Sequence, residues 1–464
     1  MSIRETIQSG LRLFPGRMGA GMLAGILAFF CFSAWAAEFH LVVTGDLHGQ
    51  AWALARLAPS IRAVGREAVR ADIGDLEQGS FISSASGGLV MMDLLNALKF
   101  DFFVPGNHDF ELGAEGFFRL CGAFDGRVLG ADWGWRERRP IPWCMVTRNG
   151  IRAAVIGLTD PRMSRRILPV DDAEFTAPYR ALTAIMPEIR AAEPEVVILL
   201  WHNGEYWPGG NLGRLLHEFP EIDLVVGGHT HEEQPGKRIG GRFFVQPGAR
   251  GEAAAHIIVT VDDSTRKIIS ISSELIRPAA EAEPGLLKII TSHRPEDPEI
   301  TKLDEPLRLP EPAEHNSAFG LLAARAMAEA AGCDAAIFYS SSRRLVSEKR
   351  LTEAGLYRLM PYRNRICVIE ISREELRRLL EDRLEYVRNY PAALAGYGFT
   401  FTIDRRRKLD KFSAPERVTL ALSDYLASGS EIIRQLARDP ARGFRVLPEM
   451  TEREAVKKFL RKER

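Results

Sequence analysis

The chain has no C-x-x-C pair, no excess of charge of either sign and no internal repeat. Its five cysteines are scattered, which argues against a thiolate zinc site or a dithiol redox motif. Lys plus Arg and Asp plus Glu both number 61, for a formal net charge of +0. A chain so balanced has no general basic field with which to grip a nucleic-acid polymer. A long apolar run occurs only near the N-terminus, so a multi-span membrane protein is excluded. At 46% hydrophobic and 26% charged residues, disorder and collagen are excluded as well. The 464 residues are too many for one compact domain and fit two, each with a sizeable core.

Residues 1–36 have the form of a signal peptide. Arg4, Arg12 and Arg17 precede the apolar run Gly19–Phe30, and Ala34 and Ala36 form an A-x-A site before Ala37. An uncleaved anchor is the alternative. The run is glycine-rich and short for a spanning helix, which favours cleavage and leaves no membrane attachment. Bulky Phe30 before Cys31 argues against a lipoprotein box, and the absence of a twin-arginine pair points to general secretion. The expected location is periplasmic or secreted. Cys121, Cys144, Cys333 and Cys367 remain after cleavage and either pair within each domain or stay as free thiols.

Residues 38–276 alternate short apolar runs with helical stretches, the pattern of an α/β domain. The strand candidates are Phe39–Thr44, Ala68–Ile73, Asp101–Val104, Ala153–Ile156, Val196–Trp201, Leu224–Val226 and Phe243–Gln246. Residues 277–315 carry seven prolines in an acidic stretch and read as a linker, with room for one short helix near Leu286–His293. Residues 316–464 form a second α/β domain that opens on the amphipathic helix Ala318–Ala331. Arg405–Lys408 fits a solvated loop, and the basic tail after Glu452 an exposed helix.

Polar residues fall at the ends of the predicted strands. The first ends in Gly45-Asp46-Leu47-His48, the second in Gly74-Asp75, and the third in Gly106-Asn107-His108-Asp109-Phe110-Glu111. Two later strands end in His202-Asn203-Gly204 and Gly228-His229-Thr230-His231. In an α/β sheet the carboxyl ends of the strands share one crevice, so these side chains converge. Asp46, His48, Asp75, Asn107, His202, His229 and His231 make seven mixed nitrogen and oxygen donors. One zinc site needs three or four ligands, so seven suit two cations that share a bridging carboxylate. Asp75 is the natural bridge, because Gly74 permits close backbone approach. Two aspartates leave two positive charges over from two divalent cations, a surplus suited to a phosphate monoester. His40, His217, His256, His293 and His315 lack this context and read as ordinary structural histidines.

This order of motifs resembles the calcineurin-like metallophosphoesterases, and more narrowly the bacterial 5′-nucleotidase, UDP-sugar hydrolase and cyclic-nucleotide phosphodiesterase family. Leu95–Asp101 before the Gly106–Gly113 motif, and Phe244–Gly251, add family-like context. The resemblance implies a four-layer α/β/β/α sandwich followed by a smaller α/β substrate domain. It implies one cation on Asp46, His48, Asp75 and His231, and a second on Asp75, Asn107, His202 and His229. The ions would be manganese, zinc or iron. It makes His108 a catalytic histidine outside the ligand set, oriented by Glu111 where the family has Asp. The implied reaction is in-line attack of a metal-bound hydroxide on a small phosphate ester.

The C-terminal domain resembles the family's substrate domain more loosely. Arg343 falls at the substrate-binding Arg position, and Tyr362 where the family places its first stacking aromatic. Phe338–Ser342 replaces the Asn-Gly-Gly-Gly run, and Ser428–Ile432 replaces the segment carrying the second aromatic. The linear motif therefore lacks a two-sided clamp. The expected activity is an exported dinuclear phosphoesterase acting on nucleotides or related esters. The alternatives are a thiosulfohydrolase of sulfur oxidation on the same scaffold, a non-nucleotide phosphatase, and a binding protein with a decayed catalytic domain.

Overall fold

A computed structural model describes residues 36–160, 162–163, 173–302, 315–340, 349–388 and 393–462. Residues 1–35, which hold nearly all of the expected signal peptide, and Arg343 lie outside the described residues. Two six-stranded mixed sheets make the first half. In the first, Ala36–Thr44 is central. It pairs parallel with Val69–Asp72, which is followed by Phe102–Phe103 and Arg127–Val128, and antiparallel with Ala254–Asp262, which is followed by Ile268–Ile276. In the second, Arg242–Pro247, Leu224–Gly227, Val196–Trp201 and Ile151–Leu158 run parallel, with Glu233–Ile239 and Trp143–Arg148 antiparallel at the edges.

Side-chain alternation sets the layers. Phe39, Leu41 and Val43 point into the core between the sheets, where they meet Val196, Ile198 and Leu200. Val42 turns the other way, toward the helices Ala51–Ala63 and Leu89–Ala97. Val197, Leu199 and Trp201 face the helices Pro178–Ala191 and Leu212–Glu218. Strands buried on both faces explain the continuous apolar run Val196–Trp201. The result is a helix, sheet, sheet, helix sandwich, as expected.

The stretch read as a linker docks where it begins. Helix Pro284–Ser292 buries Leu286 and Ile290 in the first core, and His293 reaches Asp93 at 2.7 Å. Strand Glu299–Lys302 then pairs with Arg350–Thr352. The second half is built on a five-stranded sheet of Ala393–Tyr397, Ala335–Ser340, Arg417–Ser423, Arg365–Ser372 and Arg445–Thr451, with a core on each face. The tail expected to be exposed is an amphipathic helix, Glu452–Lys462. It buries Ala455, Val456, Phe459 and Leu460 in the same core as helix Ala318–Ala331. Arg405–Lys408 is a turn between Thr400–Ile403 and Leu409–Ser413, as read. The four described cysteines are free thiols. No helix among the described residues is long and apolar enough to cross a membrane.

Candidate metal centre

The seven predicted donors leave the carboxyl ends of five strands, and the chain pays for their convergence in backbone conformation. Asp46, His48, Asp75, His229 and His231 all have φ between 48° and 69°, a region that side chains other than glycine seldom adopt. Two glycines let the loops close on one another. A Cβ at Gly74, whose φ is +92°, would stand 2.1 Å from the Gly106 nitrogen. A Cβ at Gly106 would stand 2.3 Å from Asp75 Oδ1.

Two groups of ligand atoms form. Asp46, His48 and His231 make one, and Asp75, His202 and His229 the other. Asp75 Oδ2 lies 3.3 Å from His202 Nε2 and 3.9 Å from His48 Nε2, so it stands between them. His48 Nδ1 lies 2.9 Å from the Gln78 carbonyl and His202 Nδ1 2.6 Å from the Ile73 carbonyl. A carbonyl only accepts, so each Nδ1 carries a proton and each Nε2 is turned into the cluster. Two further donors are buried without a partner, Asp46 Oδ1 and Asn107 Oδ1. Orphaned buried oxygens beside converging imidazole nitrogens are what a pair of divalent cations requires, so the residues fit the group.

The electrostatics agree. Burial opposes charge on His202, yet Asp75 and then Asp46 outweigh it and raise the imidazole to about 10, so the two carboxylates hold on this ring a positive charge that a cation would replace. Burial likewise works against charge on Asp75, but His202 and His108 hold it well below the usual carboxylate range. Burial lowers His48 to about 4 and His229 to about 3, leaving both rings neutral and able to ligate.

His108 lies outside both groups. Its Nδ1 is 2.8 Å from Glu111 Oε1, so the longer carboxylate reaches the ring. Its ring faces Tyr362, with centroids 6.1 Å apart. His108 and Glu111 line a cavity of about 220 Å³ together with Tyr339, Tyr362 and Tyr425. The aromatic wall missing from the linear motif is thus present in space. Tyr339 comes from strand Ala335–Ser340 and Tyr425 from helix Asp424–Gly429, with ring centroids 5.5 Å apart. The segment where the family carries its second aromatic has none, and Tyr425 lines the cavity from just before it.

Sequence reasoning passed over three supports. Asp109 stands beside His108 in the motif, and its buried carboxylate accepts the amide N–H groups of Asp75, Leu76, Glu77 and Gly106 at 2.8–3.3 Å. It stitches the Asp75 loop to the Asn107 loop. The 77–79 segment is also held from the second half. Glu77 pairs with Arg363 at 3.1 Å, Gln78 Nε2 donates to the Pro361 carbonyl, and the Gly79 amide donates to the Tyr357 hydroxyl. Third, the Asp46 Oδ2 atom accepts the His229 amide at 2.8 Å, linking the first ligand loop to the last. Asp109→Asn keeps one acceptor oxygen but sets an N–H pair against two of the four buried amides. We expect metal affinity, measured by calorimetric titration, to fall about 10–100-fold. An unchanged affinity would show that the stitching does not shape the centre.

Comparison with known proteins follows the same division. The profile described as calcineurin-like phosphoesterase matches residues 39–233, and that of the 5′-nucleotidase C-terminal domain matches residues 299–436. A Staphylococcus aureus protein assigned to the 5′-nucleotidases, crystallised with α-ketoglutarate, superposes with a TM-score of 0.76 at 19% identity, over 91% of this chain and 96% of that one. The Thermus thermophilus sulfate thiohydrolase SoxB superposes with a TM-score of 0.61 at 15% identity, over 91% and 94%. At these identities the likeness is one of fold. The Bacillus subtilis endonuclease YhcR is 22% identical over 413 residues, 80% of this chain and 34% of that protein. The chain spans 29% to 39% of the length of several such curated relatives. Both profiles, in this order on this sandwich, place the chain in the calcineurin-like metallophosphoesterases, in the 5′-nucleotidase family.

Proposed function

We propose that the chain is an exported phosphoesterase that uses two divalent cations to hydrolyse nucleotides or closely related small phosphate esters. One observation carries the proposal: two ligand groups joined through Asp75 lie next to a histidine that is not a ligand and that opens onto a tyrosine-lined cavity. When bound, the cations supply Lewis-acid activation of water and of the phosphoryl group. The chain's residues do the rest. Asp46, His48, Asp75, Asn107, His202, His229 and His231 hold the ions. Glu111 accepts a hydrogen bond from the Nδ1–H of His108 and so fixes the ring, and the doubly protonated imidazole delivers its Nε2 proton to the departing alkoxide and keeps the proton on Nδ1. The cavity on the far side of His108 receives the leaving group between Tyr362 and the Tyr339–Tyr425 wall.

Zero net charge favours a small substrate over a polymer, although YhcR bears the name of an endonuclease. The decisive experiment is a screen of the purified chain, loaded in turn with manganese, zinc or iron. Its substrates are nucleoside monophosphates, cyclic nucleotides, UDP-sugars, aryl phosphates and single-stranded DNA. We expect two metal ions per chain and hydrolysis of at least one small ester class, abolished by chelation. Fewer than one ion per chain, or cleavage of DNA alone, would overturn the proposal. Export rests on the leader at residues 1–36, and a mature N-terminus at Ala37 would bear it out.

A further inference from the structure

The cavity beyond His108 contains a carboxyl group that the hydrolytic scheme leaves unused. Glu452 opens helix Glu452–Lys462 and is 4% exposed. Its Oε2 accepts a hydrogen bond from Asn364 Nδ2 at 2.9 Å, while its amide donates to the Asn364 carbonyl at 3.0 Å. This exchange fixes the side chain. Its other oxygen, Oε1, is buried with no partner. Among the described residues no cation pairs with it, and the neighbouring Arg453 is directed elsewhere, to the Met360 carbonyl and the Tyr357 ring. Burial pushes the carboxyl up to about 8; the Asn364 bond opposes that rise and Asp424 adds to it.

An orphaned carboxyl oxygen this deep is costly unless a ligand completes it, and a donor held against it would favour the charged form that burial opposes. Glu452 and Asn364 line the same cavity as His108, Tyr339, Tyr362 and Tyr425. The tyrosine faces suit a flat ring, and the bare oxygen among them calls for a hydrogen-bond donor. We infer that Glu452 is a specificity-determining residue whose Oε1 accepts a hydrogen bond from an exocyclic amino group on the aromatic ring of the leaving group. This deepens the function proposed above and uses its pocket, and neither motif segment matched to the family's substrate site includes the residue. The side chain reads the leaving group and takes no part in breaking the ester.

The test measures binding of nucleosides rather than turnover, so it stands even if no phosphate ester is hydrolysed. Guanosine and inosine differ by one amino group, as do adenosine and purine riboside. At pH 9, where the carboxyl is ionised, the full chain should bind the amino-bearing member of at least one pair about 10-fold or more tightly, the discrimination expected of a hydrogen bond to a charged group. In Glu452→Gln, which keeps the size and one acceptor oxygen, that ratio should collapse toward one. A wild-type chain that binds both members of both pairs equally overturns the inference, whether or not the variant folds. A preference that persists in a folded Glu452→Gln chain, checked by its melting temperature, overturns it as well. Ester hydrolysis without nucleoside discrimination would refute the role of Glu452 and leave the phosphoesterase reading intact. Discrimination without hydrolysis would do the reverse.

Discussion

Asp75→Asn will leave a folded chain that no longer holds its paired cations and hydrolyses phosphate esters more than about 10²-fold more slowly, beyond what loss of a group that only supports a ligand costs. Asparagine is the sharper replacement. Asp75 Oδ1 also accepts the His108 amide at 2.9 Å, and an amide oxygen can keep that bond where alanine cannot. What the variant loses is the charge at Oδ2, between His202 and His48. Thermal melting reports the same loss independently. A metal at 100 times its dissociation constant stabilises a folded protein by about 2.7 kcal/mol, and this gain should largely vanish in the variant. Two bound ions and an undiminished rate in Asp75→Asn would remove Asp75 from the bridging position.

His108→Ala should separate chemistry from metal binding. Its ring lies outside both ligand groups, so the ion content stays at the wild-type value. The rate falls by about 10²–10⁴-fold, the contribution of a positioned general acid. The loss depends on the leaving group. A nucleoside alkoxide needs its proton in the transition state, whereas 4-nitrophenolate departs with little help, so the nucleotide rate suffers most. Glu111→Gln should show a smaller loss with the same leaving-group dependence, because its carboxylate orients the ring at 2.8 Å without touching the ester. Loss of metal in His108→Ala, or an equal loss on all esters, would make His108 a ligand or a packing residue.

The sandwich and the two groups of candidate ligands were legible in the sequence because both obey local rules. Apolar runs marked the strands, and each ligand stands at the end of one, so the sheet topology gathers residues as distant as Asp46 and His231. The third strand shrinks to Phe102–Phe103, although the Val104 amide still donates to the Asp72 carbonyl of the neighbouring strand. Asp109 was visible as a letter of its motif, but no spacing announces a carboxylate that collects four amides. Glu77 and Arg363 are 286 positions apart, and Tyr425 and Tyr339 complete a wall by tertiary packing alone. Such partners leave no periodic trace. Glu452 was hidden for the same reason: at the head of a basic tail it resembles any helix-starting glutamate.

Residues 77–79 have consequences beyond their own geometry. Gln78 touches His48 through its carbonyl and Pro361 through its side-chain amide, so one residue has a hand on each half of the molecule. Parting the halves to release a product would have to undo the Arg363 ion pair and both neighbouring hydrogen bonds at this clasp, together with the Arg363 bonds to Ser84 and the His108–Tyr362 ring contact. The clasp lies two to four positions beyond the bridging aspartate. Every opening stroke would therefore tug on the seat of the cations, and turnover would be gated by how readily that short strip lets go.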